Sequence, residues 1–135
     1  MDMVPRTIDE QRDWIQRRSG AFSAIVACDE TTSEVVGFAS LSKYKERAAY
    51  STTVEDSVYV AREHHGRGIG HLLLSAICDT AREGGFHSII ARIEASGEGS
   101  LALHHSVGFE LLGIERQVGR KFNRWLDIAV MQLML

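Results

Sequence analysis

His64-His65-Gly66-Arg67-Gly68-Ile69-Gly70-His71 sets three glycines into eight residues, and the hydrophobic period changes across it. Before it, residues 53–60 (Thr-Val-Glu-Asp-Ser-Val-Tyr-Val) alternate β-branched with polar side chains, the period of a strand. After it, Leu72, Leu73, Ala76, Ile77, Thr80 and Ala81 recur at helical spacing over residues 69–82, and Gly84-Gly85 supplies a stop. The segment is therefore a strand, a glycine turn and a helix. Backbone N–H groups at a helix N-terminus point outward and the dipole there favours an anion. Glycines let a phosphate approach the main chain with no Cβ in the way. A P-loop is excluded, because no lysine follows the glycines. A dinucleotide fingerprint also fails, since His71 stands where its third glycine belongs. An anion cradle of another kind and a ligand-free glycine connection both remain open.

Outward from this turn the chain reads as an α+β protein with a mixed sheet. Towards the N-terminus, Thr7 and Glu10 form a capping box that opens a helix to about Arg18, with Ile8, Gln11, Trp14 and Ile15 on its stripe. Residues 22–28 and 35–41 read as a strand hairpin across a polar turn at 29–33, and residues 42–51 as a loop. Towards the C-terminus, residues 88–93 read as a strand and 100–107 as a helix stopped by Gly108. Residues 110–118 and 125–135 read as two closing strands. The order is helix, three strands, helix, strand, helix, two strands, with a crossover helix after the third strand.

Composition bounds the function. The 135 residues suit a single domain over 1–135, and 44% hydrophobic residues with one proline can bury a core. Lys+Arg number 15 and Asp+Glu 18, so the formal net charge of −3 points away from nucleic acid and anionic membranes. No apolar run approaches the ~18 residues of a bilayer span, and residues 1–18 lack the pattern of a secretion signal. Cys28 and Cys78 have neither CxxC nor His-rich spacing, so no disulfide framework or metal site is expected. A cytoplasmic enzyme or binding domain is the expectation.

Gly68 and Gly70 have the spacing of the pyrophosphate turn of the GCN5-related N-acetyltransferases (GNAT superfamily), whose Arg or Gln is replaced here by His65. Residues 53–60 resemble the fourth strand of the phosphinothricin and methionine sulfone/sulfoximine acetyltransferase branch. Residues 100–109 resemble its S-x-x-L-H-x-x-x-G-F helix, and residues 119–127 its G-x-K-F-G-R-W-L-D turn. The motifs occur in family order. The resemblance implies an acetyl-CoA-dependent enzyme, without a metal, that acetylates the amino group of a small amino acid or analogue.

The resemblance also implies roles. Glu55 is the general base, and His104 stands where many relatives carry a tyrosine that protonates the departing thiolate. Val58, Tyr59 and Val60 offer main-chain groups to pantetheine and thioester where the strand splays from its neighbour. His65, Gly66, Arg67, Gly68, Ile69, Gly70 and His71 hold the pyrophosphate. Ser100 partly substitutes for an asparagine that relatives carry at the position of Gly97. Lys45, Glu46, Arg47 and Tyr50, with Glu55, face the substrate, a cation such as Arg47 suiting a carboxylate or phosphinate. Asp56 is expected to be structural and His105 to lie on the surface, while Lys121, Phe122 and Arg124 line the pocket or pack a dimer. A superfamily member normally has a strand and a helix ahead of the segment opened by Thr7, and residues 1–6 are too short to supply them. An N-terminally shortened sheet with residues 22–28 as an open edge is therefore expected, and with it a homodimer. A catalytically weak acetyl-CoA-binding module is the alternative to the enzyme, and an enzyme acting on a protein amine is a third reading.

Overall fold

The computed structural model describes residues 3–5 and 23–135. The helix expected over 7–18 lies outside the described residues. Among them, seven strands form one sheet: β1 (Met3–Pro5), β2 (Ala24–Asp29), β3 (Val35–Lys43), β4 (Thr53–Val60), β5 (Ser88–Glu94), β6 (Glu110–Lys121) and β7 (Arg124–Met134). Helix α1 (Ile69–Glu83) joins β4 to β5, and α2 (Glu98–Val107) joins β5 to β6. The strand order is β1-β2-β3-β4-β5-β7-β6. Only β4 and β5 run parallel; the other pairs are antiparallel. This is the mixed α+β sheet that the alternating periods predict.

The open edge expected along residues 22–28 is corrected in part. Met3, Val4 and Pro5 pair with Asp29, Cys28 and Ala27, so the end of β2 has a neighbour. Pro5 lacks an N–H, which an edge strand tolerates.

Each element follows from its residues. Asp29 ends β2 by accepting hydrogen bonds from the Thr31 and Thr32 amides at 2.8 and 3.4 Å, an Asx turn that leads into β3. Thr31, through its hydroxyl and its amide, holds the Asp29 carboxyl below the usual range. Helix α1 buries Ile69, Leu73, Leu74, Ile77, Cys78 and Ala81 on a stripe of i, i+4 spacing. The expected stripe sits one column off, for Leu72 is exposed and Leu74 with Cys78 takes its place. The run Leu72-Leu73-Leu74 offers two columns at once, and only the sheet decides between them. Packed beneath α1 are Ile25, Ala27, Val36, Ala39, Leu41, Val54, Ile89 and Ala91. Burial pushes the Cys78 thiol up to about 12, which makes it inert.

The feature that creates the site is a fork. Strands β4 and β5 pair over three residues only: Thr53 with Ser88, Val54 with Ile89 and Glu55 with Ile90. Beyond Glu55, β4 stays with β3 as far as Val60 opposite Gly37, while β5 follows β7 as far as Glu94 opposite Ile128.

Candidate active site

The larger cleft, about 630 Å³, is lined by Val58, Tyr59 and Val60 of β4, the turn after it, the start of α1, and Gly99, Ser100 and Leu103 of α2. Gly66 and Gly68 have φ of +79° and +77°, and a Cβ on either would point into open space. Gly68 caps α1 with no side-chain hydrogen bond, so the first amides of the helix have no capping side chain. Arg62, His64, His65 and His71 surround them on the same cleft. Open main chain, a helix N-terminus and basic side chains together suit a phosphate-bearing ligand.

Two residues of the motif, both on the wall of the larger cleft, also have a structural task. A Cβ on Gly70 would sit 3.1 Å from Leu103 Cδ2, so this glycine allows α1 and α2 to pack closely. His65, at the Arg/Gln position, turns back to the chain, and its Nε2 lies 2.7 Å from the Val60 carbonyl oxygen. The ring thus braces the turn against the end of β4.

The smaller cavity, about 460 Å³, lies in the fork. Its walls include Phe38, Asp56, Ser57, Arg92, Glu94, Gly97 and His104, and it shares Val58, Tyr59 and Ser100 with the larger cleft. The two spaces therefore meet at the splayed stretch of β4. Glu55 marks the point where pairing with β5 ends. Its carboxyl is held above the usual range by desolvation, opposed by Arg92 and aided by Asp56. Arg92 Nε stands 3.9 Å from Glu55 Oε1. A half-buried carboxylate with a raised pKa at the mouth of a fork suits a general base.

His104 is the one fully buried side chain of α2, 3% exposed. Its Nε2 lies 2.8 Å from Asp56 Oδ2 and its Nδ1 2.8 Å from the Ser100 carbonyl oxygen. Both ring nitrogens thus face acceptors, which an imidazolium satisfies by donating twice. Burial works against that charge, but the Asp56 hydrogen bond and charge, with the Ser100 carbonyl, prevail and hold His104 above its usual value. Phe109 stacks edge-on against the ring at 4.9 Å. Both ring nitrogens are thus engaged within the protein, on the wall of the smaller cavity, and this arrangement suits a positioning role more directly than the proton donation to a thiolate that the resemblance implies.

The loop expected to meet substrate is tied to itself. Lys45 Nζ sits 5.1 and 5.2 Å from the Tyr44 and Tyr50 ring centres. Glu46 pairs with Lys43 at 3.5 Å. Arg47 precedes a single 3-10 turn over Ala48–Tyr50. None of Lys45, Glu46, Arg47 and Tyr50 lines either cavity. In the last hairpin, Arg124 reaches Glu94 at 3.0 Å, on the wall of the smaller cavity. His105 is exposed. Sequence reasoning missed Arg92, whose signal was a lone charge inside the apolar run of residues 89–93. Among the described residues no cluster of His, Cys, Asp or Glu could hold a metal ion, and no helix is long and apolar enough to cross a membrane.

Comparison with known proteins gives the following. The model of the acetyltransferase (GNAT) family matches residues 2–109. An L-methionine sulfoximine/L-methionine sulfone acetyltransferase of Pseudomonas paraeruginosa is 37% identical over 132 residues, 98% of this chain and 77% of the relative. A phosphinothricin N-acetyltransferase of Streptomyces coelicolor is 39% identical over 130 residues, 95% and 76% of the two chains. The crystal structure of a phosphinothricin acetyltransferase from Sinorhizobium meliloti in complex with acetyl-CoA superposes with a TM-score of 0.83. It is 39% identical and covers 94% of this chain and 69% of its own.

Proposed function

The chain belongs to the acetyltransferase (GNAT) family, and from that premise we propose that it transfers acetyl from acetyl-CoA directly to the amino group of a small amino acid. Sulfone, sulfoximine and phosphinate analogues of amino acids belong to the same substrate class. The observation that carries this reading is the position of Glu55 where β4 and β5 part, 3.9 Å from Arg92 on the wall of the smaller cavity. The turn of residues 65–71 takes the pyrophosphate on the amides at the start of α1. The main chain of Val58, Tyr59 and Val60 takes the pantetheine amides, and an N–H there faces the thioester oxygen. Ser100, shared by both spaces, stands beside the thioester.

Glu55 accepts a proton from the substrate ammonium, directly or through water. The freed amine attacks the thioester carbonyl carbon, its nitrogen gives up the second proton to water, the oxyanion collapses, and the C–S bond breaks. The thiolate takes its proton from solvent. His104 is a positioning residue: held within α2 by the Ser100 carbonyl, it ties that helix to β4 through Asp56. Arg47 and its neighbours meet the substrate carboxylate only if the loop of residues 44–50 moves inward.

The same reading includes a homodimer in a reducing cytoplasm. Supporting the dimer are the exposed Leu111, Leu112, Ile114, Val118, Phe122 and Trp125 on the β6–β7 hairpin. Two cysteines without a disulfide suit that compartment.

A free-thiol release assay with acetyl-CoA and a panel of amino acids, methionine sulfone, methionine sulfoximine and phosphinothricin tests the proposal. Thiol release with one or more of them is the expected result. Acetyl-CoA binding by calorimetry with no release across the panel would leave the binding module instead.

A further inference from the structure

A row of three charged side chains crosses the sheet face at the fork. Glu55 lies on β4, Arg92 on β5, and Glu115 on the edge strand β6 beyond β7. Arg92 Nε stands 3.9 Å from Glu55 Oε1, while its Nη2 donates to Glu115 Oε1 at 2.5 Å. The guanidinium is therefore shared unequally. Glu115 holds it firmly, and Glu55 has only its near edge. We propose that Arg92, tethered by Glu115, is the positioning residue that holds the Glu55 carboxylate ready for the substrate ammonium. This rests on the reading of Glu55 as the base.

The surroundings of Glu55 bear it out. From β3, Ser42 stands opposite Glu55 in the ladder and carries no charge. Lys43, next along, pairs with Glu46. On β4 itself, Asp56 is bound by His104 of α2. Glu94, further along β5, is held by the Ser96 hydroxyl and by Arg124 of β7. β7 sets Val130 opposite Arg92. Arg92 is the cation that acts on Glu55.

The physics of a base explains why the guanidinium is shared. A carboxylate that is partly desolvated with no cation near it sits protonated and cannot accept the ammonium proton. One clamped in a full bidentate pair stays ionised but loses basicity. A cation at 3.9 Å whose other edge is occupied by a second carboxylate lies between these extremes. The position of Glu115 also suits the purpose. Glu115 is regularly paired with Ile128, just before the register shift between Glu115 and Gly119, so the ladder fixes its place beside Arg92.

The two substitutions act with opposite sign, which a merely structural role would not produce. Arg92→Met removes the cation, so Glu55 must titrate higher and the acid limb of kcat/KM must move to higher pH. Turnover at pH 6 falls by about threefold or more, the deficit shrinking as the pH rises to 9. Arg92→Lys restores part of it. Glu115→Gln frees the guanidinium for Glu55, and the acid limb moves to lower pH. The KM for acetyl-CoA stays put in all three.

A rise in amino-acid KM in Arg92→Met with an unmoved acid limb would overturn the proposal, because Arg92 would then bind the substrate carboxylate itself. The same shift of both limbs in one direction would overturn it too. A side-chain carboxyl NMR titration of Glu55 in the wild-type protein, Arg92→Met and Glu115→Gln separates this from the reading beneath it. Opposite shifts in that titration uphold the tether even if Glu55→Gln retains activity and another group is the base. Unmoved titrations overturn the tether whatever Glu55 does in catalysis.

Discussion

Glu55→Gln keeps the shape of the base and removes its proton affinity. Turnover should fall by roughly 10²-fold or more, while acetyl-CoA affinity by calorimetry stays near that of the wild-type protein. Because desolvation holds the Glu55 carboxyl above its usual range, the deprotonated base is lost at a higher pH than an ordinary carboxylate would be. A kcat/KM profile should show its acid limb correspondingly high. Gly68 makes a second test. At φ +77° any side chain costs about 1 kcal/mol, and its Cβ points into the open cleft. Gly68→Ala should melt slightly lower and bind acetyl-CoA about tenfold more weakly, whereas unchanged affinity in a folded variant would place the pyrophosphate elsewhere. At this scale the sequence was legible wherever chemistry is local. The glycine turn of residues 66–70 and the Glu55 strand could be read as elements from spacing and period, while the roles proposed for them came from the resemblance. His104 could not, because its partner Asp56 lies 48 positions away and only the fold brings them together. Arg92 escaped for the same reason, its two carboxylates standing on other strands.

Helix α2 is seated by Leu101, Leu103 and Val107 against the core and by one buried pair, His104 with Asp56. Removing one partner of such a pair strands a charge away from water, typically at a cost of about 3 kcal/mol or more. Asp56→Asn and His104→Gln should each lower the melting temperature by several degrees, and circular dichroism would show a stable His104→Gln protein if the pair were decorative. The pair also carries a pH signature. The folded pKa of His104 is raised, so its stabilisation is fully present below the unfolded value of about 6.5 and fades as pH rises through the folded one. Wild-type melting should therefore drop on the alkaline side, and His104→Gln should lack that component. Element boundaries were legible to different degrees. Residues 53–60 were read to the residue, since alternation begins and ends with them. Helix α2 starts at Glu98 rather than 100, because Gly97 caps it with a main-chain carbonyl to Leu101 and no side chain announces the start. The last hairpin turns at Phe122 and Asn123, both with positive φ, a two-residue turn that lengthens β6 to Lys121 beyond its expected end.

For the molecule as a whole, the apolar side chains along the β6–β7 hairpin make self-association measurable. Light scattering should give a mass near twice 15.0 kDa, and Leu112→Lys with Val118→Lys should return the monomer. A wild-type monomer with ordinary turnover would remove the dimer from the proposal. The fork has a further consequence for how the protein comes apart. The first four strands and α1 form one run of chain, and the last three strands with α2 another. Between them the sheet is joined by three residue pairs, backed by a shared core. A cosubstrate lying along β4 and against α2 touches both runs and so acts as a staple across a seam. Amide exchange at residues 53–55 and 88–90 reports the opening of this seam, and those amides should gain protection when acetyl-CoA binds.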